Sequence, residues 1–414
     1  MQGLMEIQRA YKVELDPNNT QRTAFMQHCG AARWAWNFGL FRKMKAYRDT
    51  GKSPNAIELH RELNTLKKTP QEDGGIPWAY EVSKCAFQEA LRDLDVAYKN
   101  FFRRCKNGAK KKGFPKFKSR KKAIGSFRLT GAIHVSEKTI KLPRLGSLRL
   151  KEANYLPNPK ENKSVKILSA TVSEKSGKWF VSLSVKEQVP DLKPKTKIKS
   201  TGLDVGIKSL IVLSDETVIE NPRALKKLES KLKRLQRSFS RKKKGSSNRR
   251  KAKRKVQRLH YKISCIRKDF IHKATSKIIE SFDLIGIETL NVSGMLKNHC
   301  LAKALSDASL SEILRQLKYK AAWRGVQIVE APQFYPSTKT CSCCGHVKDK
   351  MILSERVYRC DKCGLVLDRD LNAARNLEKM AVSSTVSVCG EESADFNDMM
   401  KLSSLKQKSN IRPL

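Results

Sequence analysis

The chain has 414 residues, of which 85 are Lys or Arg and 40 are Asp or Glu, so its formal net charge is +45. This excess favours polyanionic partners and argues against a small-metabolite enzyme, while 39% hydrophobic residues argue against disorder of the whole chain. No apolar run approaches the roughly 18 residues of a transmembrane helix, and the first residues lack the basic start and apolar stretch of a signal peptide.

The first hundred residues predict a strand followed by long helices. Residues 6–15 favour a strand that ends in a turn at 16–19, and Thr20 could cap a helix whose apolar residues recur at helical spacing. A break at 51–54 separates it from a second long helix over 78–105. We expect the aromatic residues of these helices to pack between them and not to stack on nucleic acid.

A basic segment and a β-rich region come next. Lysines alternate with Phe114 and Phe117 over 110–122, a pattern that favours contact with a nucleic-acid backbone over a merely solvated loop. Residues 123–190 favour strands, including a hairpin of 166–173 and 179–185 around Gly177. The Pro- and Lys-rich segment 190–200 predicts a linker and a domain boundary.

Beyond the linker the pattern predicts short strands over 201–219 and then a helical hairpin. Apolar residues step by three and four over 225–239 and again over 256–270, which predicts two helices with an apolar seam. The segments 241–244 and 249–258 hold eleven Lys or Arg and almost no acids. Because such a helix repels itself without a partner, we expect this face to bind nucleic acid.

The last third predicts two buried strands, at 284–287 and 326–330, with a helix over 306–323 between them. A final helix is expected from about Asp370 to Met380. The polar, Ser-rich residues 381–414 lack periodicity and predict a disordered tail.

Four cysteines predict a metal site. The pairs Cys341/Cys344 and Cys360/Cys363 each have two residues between them, and 15 residues separate the pairs. This spacing matches two knuckles that share one tetrahedral, structural Zn²⁺. Cys343 has the wrong offset for a ligand, and His346 is only a weak alternative.

Three acidic residues stand where buried elements begin or end. Asp204 lies within a β run, Glu288 ends a buried strand, and Asp370 opens the last helix. A buried unpaired carboxylate is costly, so convergence on two Mg²⁺ ions would explain all three. Two of them have ordinary alternatives: Glu288 could lie on the surface, and Asp370 or Asp368 could cap the helix.

These segments together resemble the TnpB (OrfB) family of transposon-encoded RNA-guided nucleases, relatives of type V CRISPR effectors. Asp204 in Gly-Leu-Asp-Val-Gly-Ile-Lys, Glu288 in Ile-Gly-Ile-Glu-Thr-Leu and Asp370 in Asp-Arg-Asp-Leu-Asn-Ala-Ala-Arg-Asn are similar to its three RuvC motifs. Further similar segments are the cysteine ribbon, the helix segment Gln316–Trp323, Gly30–Arg33 with Asn37, and Gly113–Phe117. The resemblance covers about residues 6–380.

The resemblance implies a multidomain α/β fold with an RNase H-like RuvC nuclease domain and an inserted zinc ribbon. It also implies an N-terminal β-barrel (wedge) and a helical recognition domain. The implied bounds are 1–16 and 122–198 for the wedge, 17–121 for the helical domain, 199–335 and 367–380 for the nuclease domain, and 336–366 for the ribbon.

The resemblance also implies the partners and the activity. A guide RNA from the transposon end would pair with target double-stranded DNA beside a short flanking motif, in a cytoplasmic prokaryotic protein that is nucleoid-associated when bound to DNA. Asp204, Glu288 and Asp370 would hold two Mg²⁺ ions. No membrane is implied, and protein partners are unknown. Low-ranked candidates for nucleic-acid contact are Lys84, Gln88, Lys116, Arg241, Lys242 and Lys243.

Other functions remain open from the sequence. A guide-directed repressor would bind without cutting, which leaves the three carboxylates without a role. A strand-transferring transposase would join transposon ends, since the RNase H fold serves that chemistry too. A structural basic RNA-binding protein would also leave the carboxylate pattern unexplained.

Overall fold

The chain divides into two units, Met1–Asp191 and Leu192–Leu414. This boundary falls inside the segment 190–200 that the sequence marks as a linker. The computed structural model describes residues 4–121, 123–190, 198–352 and 355–390, with the backbone alone for 386–390.

The N-terminal unit combines three long helices with seven strands. In chain order its elements are β1 (Leu4–Leu15), α1 (Asn19–Thr50), α2 (Ala56–Lys68), a 3-10 helix (Pro77–Glu81), α3 (Lys84–Lys106), β2 (Ser126–Leu129), β3 (His134–Val135), β4 (Thr139–Leu142), β5 (Gly146–Arg149), β6 (Val165–Lys175) and β7 (Lys178–Pro190).

Helix starts differ from the predicted ones because of capping. Asn18, and not Thr20, caps α1: its Oδ1 accepts from the Gln21 backbone amide, and Gln21 Oε1 accepts from the Asn18 backbone amide. The second predicted helix is two elements, since a 3-10 turn precedes Ser83, whose side chain caps α3. Gly51, in the left-handed conformation at φ 69°, ends α1 within the predicted break.

The strands of this unit form two antiparallel sheets. One has the order β1-β7-β6-β2 and the other β3-β4-β5. The predicted β6–β7 hairpin is confirmed, with Gly177 at φ 85° in its turn. Among the described residues a single bridge, Leu15 to Leu150, joins the two sheets, and the expected β-barrel stays a prediction.

One hydrophobic cluster runs through both the helices and the strands of this unit. Phe25 of α1, Leu63 of α2 and Phe87 of α3 belong to the same buried cluster as Phe127 of β2 and Val181 of β7. The expected wedge and helical domains therefore share one core.

The C-terminal unit is built around a mixed sheet. Its elements are β8 (Ser200–Val205), β9 (Ser209–Leu213), β10 (Val218–Glu220), α4 (Ala224–Ser240), α5 (Ser247–Ser281), β11 (Leu284–Ile287), α6 (Val292–Met295), α7 (His299–Ala308), α8 (Leu310–Arg324), β12 (Gln327–Glu330), β13 (Val357–Arg359), β14 (Val366–Asp368) and α9 (Arg369–Gly390).

The five-stranded sheet has the order β10-β9-β8-β11-β12. β10, β9 and β8 pair antiparallel, whereas β8, β11 and β12 pair parallel. All four residues of β11 are buried, as predicted. The prediction of a buried strand at 326–330 is wrong, because β12 is an edge strand whose Gln327 and Glu330 are exposed.

Two helical segments depart from the prediction. The expected helix over 306–323 is interrupted at Ser309, which adopts φ 57° between α7 and α8. The prediction that order ends near Met380 is wrong, since α9 continues to Gly390 with Leu377 and Ala381 fully buried. Residues 391–414 of the predicted tail lie outside the described residues.

The predicted helical hairpin is confirmed. α4 and α5 pack through a small apolar cluster that is centred on Leu232, Leu259 and Ile263. In the part of the chain that the structure describes, no helix is both long enough and apolar enough to cross a membrane.

Candidate active site and metal centre

Two of the predicted carboxylates lie side by side because of strand register. In the parallel pair β8–β11, Leu203 lies opposite Ile287, so Asp204 and Glu288 follow at the same edge of the sheet. Asp204 is nearly buried, with 9% of its surface exposed, and Glu288 is half-buried. A long-range pairing of this kind could not be read from either segment alone.

Two glycines bring the third carboxylate to this edge. Gly202 and Gly286 are register partners, and they lie on the same sheet face as Asp204 and Glu288 because that face repeats every two residues. A Cβ on Gly202 would lie 1.8 Å from the Ala374 carbonyl oxygen, and one on Gly286 would lie 2.2 Å from that of Leu377. The backbone of α9 therefore rests directly on these strands.

This close approach was missed at the level of sequence, although both glycines stand in the motifs. The available signal is a glycine inside a strand, which often marks a backbone approaching closely. Because α9 begins at Arg369, Asp370 lies in its first turn. The helix that packs on the glycines thus carries Asp370 toward Asp204.

The electrostatics of Asp204 show the influence of both other carboxyl groups. Burial raises the pKa of Asp204 well above its usual range, and the nearby carboxylates of Glu288 and Asp370 raise it further. Arg369 opposes this rise in the Asp204 pKa, and its guanidinium lies 3.3 Å from Asp370 Oδ1. The site concentrates negative charge that a cation would relieve.

The helix-cap alternative applies to Asp368 and not to Asp370. The Asp368 carboxylate accepts from the backbone amides of Asp370 at 2.9 Å and Leu371 at 3.2 Å, as an N-cap does. The Asp370 carboxyl is therefore left for other partners.

The four predicted cysteine ligands form a cluster. Their sulfur atoms all lie within 4.8 Å of one another, with Cys341 Sγ 3.6 Å from Cys363 Sγ and Cys344 Sγ 3.6 Å from Cys360 Sγ. Bonds of about 2.3 Å to a tetrahedral Zn²⁺ require sulfur separations of about 3.8 Å, so the cluster fits this ion. Among the residues described, these four are the one group of His, Cys, Asp or Glu placed to hold a metal; the three carboxylates do not close around a common point in this way.

The two knuckles share one backbone pattern. The Cys341 amide donates to the His346 carbonyl and the Gly345 amide to the Cys341 carbonyl, and Cys360, Leu365 and Gly364 repeat both bonds. Gly345 and Gly364 have φ of 75° and 71°, which favours glycine at both turns. The amide of Cys363 and, less strongly, that of Lys362 lower the pKa of the Cys360 thiol to about 6, which favours the thiolate that a metal binds.

The neighbouring candidates are not part of the cluster. Cys343 is exposed and lies outside the group, as its offset predicts. His346 contributes its carbonyl oxygen to the first knuckle, and its ring is not among the clustered ligands.

Two buried asparagines of α9 fasten the ribbon to the helix. Asn372 Nδ2 donates to the Thr340 carbonyl at 2.7 Å, and its Oδ1 accepts from the Ser342 amide at 2.9 Å. Asn376 Nδ2 donates to the carbonyls of Ser337 and Thr340. The sequence motif contains both residues, but only their burial identifies them as a clamp.

Comparison with known proteins assigns the family. Sequence profiles match residues 5–52 (a helix-turn-helix domain of OrfB), 180–299 (OrfB of IS605, described as a probable transposase) and 311–377 (a Cas12f1-like TNB domain). A Streptomyces pristinaespiralis protein named "Putative RNA-guided DNA endonuclease" is 35% identical over 391 residues, which cover 94% of this chain and 92% of that protein. The chain belongs to the TnpB (OrfB) family.

One further relative and two solved structures are also similar to this chain. The Escherichia coli K12 protein "Putative RNA-guided DNA endonuclease InsQ" is 33% identical, with 92% of this chain and 94% of that protein covered. Among solved structures, a Cas12f1–sgRNA–target DNA complex aligns at a TM-score of 0.34 and 19% identity, covering 90% of this chain and 99% of that chain. CasPhi-2 bound to crRNA gives 0.43 and 11%, covering 92% and 99%.

The candidate nucleic-acid residues of the N-terminal unit lie on its surface. Lys84 is exposed and Gln88 half-buried in the first turns of α3, on one helical face. Lys116 is exposed, and its carbonyl accepts from Trp36 Nε1 at 3.0 Å. This bond, together with the reciprocal pair between Asn37 and Lys118, holds the basic segment against α1.

The basic side chains of the helical hairpin are of two kinds: some are exposed, and one binds within the hairpin. Arg241, Lys242 and Lys243 are exposed, as expected for residues that contact a partner. Arg249, predicted to lie on the same outer face, instead stacks on Phe239 at 4.3 Å and donates to three carbonyls of the loop, those of Phe239, Ser240 and Lys242. Its role includes closing the hairpin.

Proposed function

We propose that this TnpB-family protein is an RNA-guided endonuclease that hydrolyses double-stranded DNA. The observation that carries this proposal is the pairing of Asp204 and Glu288 at one sheet edge, within electrostatic reach of Asp370. In this proposal a guide RNA from the transposon end pairs with the target beside a short flanking motif, and one site cuts both strands.

The three carboxylates are the proposed ligands of two Mg²⁺ ions. Their oxygens are the donors that Mg²⁺ prefers, and burial, together with the charges of Glu288 and Asp370, raises the pKa of Asp204, which favours a cation beside it. Bound there, Mg²⁺ supplies Lewis-acid stabilisation of charge during hydrolysis of a phosphodiester. The chain itself contributes the register that aligns Asp204 with Glu288 and the glycine contacts that seat α9.

The surrounding fold supports an RNase H-like RuvC domain. Three antiparallel strands continue into two parallel ones, and a long helix crosses the carboxylate-bearing pair. The cysteine ribbon lies in sequence between β12 and α9, where the family resemblance places its zinc ribbon. We assign one structural Zn²⁺ to this ribbon.

The proposed polyanionic partners account for the charge. A net charge of +45 suits a protein that holds a guide RNA and both DNA strands, and the two most similar relatives described above are named as RNA-guided DNA endonucleases. The exposed cations Lys84, Lys116, Arg241, Lys242 and Lys243, with Gln88, are the proposed contacts.

The test is programmed cleavage with a matched pair of Asp→Asn variants. The full chain is expressed with its native downstream DNA, the co-purifying RNA is sequenced, and cleavage of a plasmid that carries the matching target is timed. Asp204→Asn is expected to slow cleavage at least about a thousandfold, or about 4 kcal/mol, while target binding is retained. Asp215→Asn, in the exposed β9–β10 turn, should cleave normally.

The same assay separates the other functions. Joining of transposon ends by the purified protein, without RNA-directed cutting, would establish the transposase, which the profile described as a probable transposase favours. Programmed binding that never leads to cleavage would establish a guide-directed repressor.

A further inference from the structure

One buried serine connects the cysteine ribbon to the carboxylate site. Ser337 lies between β12 and the first knuckle and is 2% exposed. Its hydroxyl donates a hydrogen bond to Glu288 Oε1. No sequence motif singled out this residue, because the contact joins positions 49 apart.

Ser337 is itself held from two directions. Its amide donates to the Tyr335 carbonyl at 2.8 Å, and its carbonyl accepts from Asn376 Nδ2 at 2.8 Å. The same Asn376 amide group donates to Thr340, the residue before Cys341. The backbone of Ser337, whose hydroxyl donates to Glu288, is therefore held in place by α9 and by the ribbon.

Glu288 needs such a partner for a geometric reason. It is half-buried just past the end of β11, and its side chain has three rotatable bonds, so strand register alone does not orient its carboxylate. A hydrogen bond from a fixed donor selects one orientation of this carboxylate.

We propose that Ser337 is a positioning residue that orients the Glu288 carboxylate for divalent-cation binding, and that the ribbon holds Ser337 in place for this purpose. The inference rests on the proposed function, since it assigns Glu288 to the cation site. It gives the ribbon a role in catalysis beyond its own stability.

The test measures the cation dependence of the full-length protein–guide RNA complex. Ser337→Ala is expected to raise the Mg²⁺ concentration for half-maximal cleavage by about tenfold or more, as loss of a residue behind a metal ligand does. Ser337→Thr keeps the hydroxyl, so its cleavage should depend on Mg²⁺ concentration as the wild type does. Thr338→Ala is the matched control, since the Thr338 hydroxyl has no hydrogen-bond partner within the described part of the chain.

A second readout does not depend on cleavage. Mn²⁺ binding to the same complex is followed by electron paramagnetic resonance, and the signal of the Glu288→Gln complex is subtracted to remove ions held by RNA. Ser337→Ala should weaken the remaining binding about tenfold while the zinc content stays at one per chain.

The outcomes distinguish this inference from the proposed function. Unchanged Mg²⁺ and Mn²⁺ dependence in Ser337→Ala, or loss of its zinc, would overturn the positioning role. Undiminished cleavage by Glu288→Gln would instead overturn the assignment of Glu288 to the cation site, and with it the proposed function.

Discussion

The cysteine ribbon and the carboxylate site are specified in different ways. The four thiols come from 23 consecutive residues, from Cys341 to Cys363, and their two knuckles repeat one backbone pattern. The three carboxylates come from β8, the end of β11 and the start of α9, so strand register and helix packing must bring them together. The cysteine cluster is therefore specified by a short local sequence, whereas the carboxylate site forms only when the sheet folds.

The two sites also differ in how closed they are. The sulfur atoms already lie at separations that fit a tetrahedral ion, as a structural metal site requires. Among the described residues the three carboxylates do not close around one point, and the charges of Glu288 and Asp370 act on Asp204. Under the proposed function, this openness would leave room for substrate oxygens beside a cation. Damage to the first site should therefore appear in folding, and damage to the second in activity.

The largest expected effect is loss of the ribbon metal. Cys360→Ser removes one of four thiolates, and binding of structural Zn²⁺ supplies on the order of 10 kcal/mol of folding free energy to isolated zinc-finger peptides. We expect zinc to fall from one per chain to near zero and protease cleavage to increase within 336–366, as measured by atomic emission and limited proteolysis.

Cys343→Ser is the matched control for this variant. Cys343 lies between two ligands in sequence but is exposed and outside the cluster, so the zinc content should not change. A full complement of zinc in Cys360→Ser, or its loss in Cys343→Ser, would contradict the ligand assignment.

The glycine contact under α9 is the corresponding weak point of the carboxylate site. Gly286→Ala would place a methyl group 2.2 Å from the Leu377 carbonyl oxygen, so α9 must move away from β11. Overpacking of this kind costs about 1–3 kcal/mol, and displacement of Asp370 should also slow cleavage about tenfold or more. Urea unfolding and the cleavage assay measure the two effects separately.

The same substitution at Gly30, in α1, should raise the stability of the chain and not lower it. Gly30 lies in the middle of α1, and a Cβ there would meet only the end of the Arg33 side chain, at 3.8 Å. Gly30→Ala is expected to stabilise the chain by up to about 1 kcal/mol, because alanine is the better helix former. Equal destabilisation by both substitutions would mean that close packing under α9 is not the cause.

The sequence predicted the locally specified parts of the molecule better than those that depend on contacts between distant segments. The cysteine spacing predicted its cluster, and two-residue and 3.6-residue periodicities predicted the β6–β7 hairpin and the α4–α5 hairpin. The motifs named the three carboxylates, but which residues lie beside them depends on register. Gly202 and Gly286, Ser337 and the asparagine clamp are set by contacts between distant segments, which carry little local pattern.

The helix bounds that the sequence predicted wrongly have identifiable causes. Two helix starts moved because Asn18 and Ser83 cap them, and the helix predicted over 306–323 is broken by the left-handed backbone at Ser309. The final helix continues ten residues beyond its predicted end, and the local sequence does not reveal that Ala381 is fully buried there. The caps at Asn18 and Ser83 and the backbone of Ser309 are local causes, whereas the burial of the last helix is a tertiary effect that overrides a weak local pattern.

The smallest expected effect tests whether the N-terminal unit also depends on a contact between distant segments. His28 of α1 is 1% exposed; its Nδ1 hydrogen-bonds to the Ala24 carbonyl at 2.8 Å, and its Nε2 accepts from the Ser83 amide at 3.1 Å. Since a carbonyl can only accept, Nδ1 carries the proton and the ring is neutral. Burial lowers the pKa of His28 below 6.5, its ordinary value.

The direction of the pH effect follows from that lowered pKa. Below about pH 6.5 the unfolded chain binds a proton at His28 more readily than the folded chain does, so stability should fall as the pH falls, by at most about 1.4 kcal/mol per pH unit.

Urea unfolding between pH 7.5 and 5.0, followed by tryptophan fluorescence, reports this unit because Trp34, Trp36, Trp78 and Trp179 lie in it. His28→Gln should be less stable at pH 7.5, because it loses the imidazole ring that packs 4.9 Å from the Phe127 ring, but its loss of stability on acidification should be shallower. His134→Gln, at an exposed position in β3, should keep the wild-type slope. Identical slopes for His28→Gln and the wild type would show that the acid sensitivity of this unit arises elsewhere.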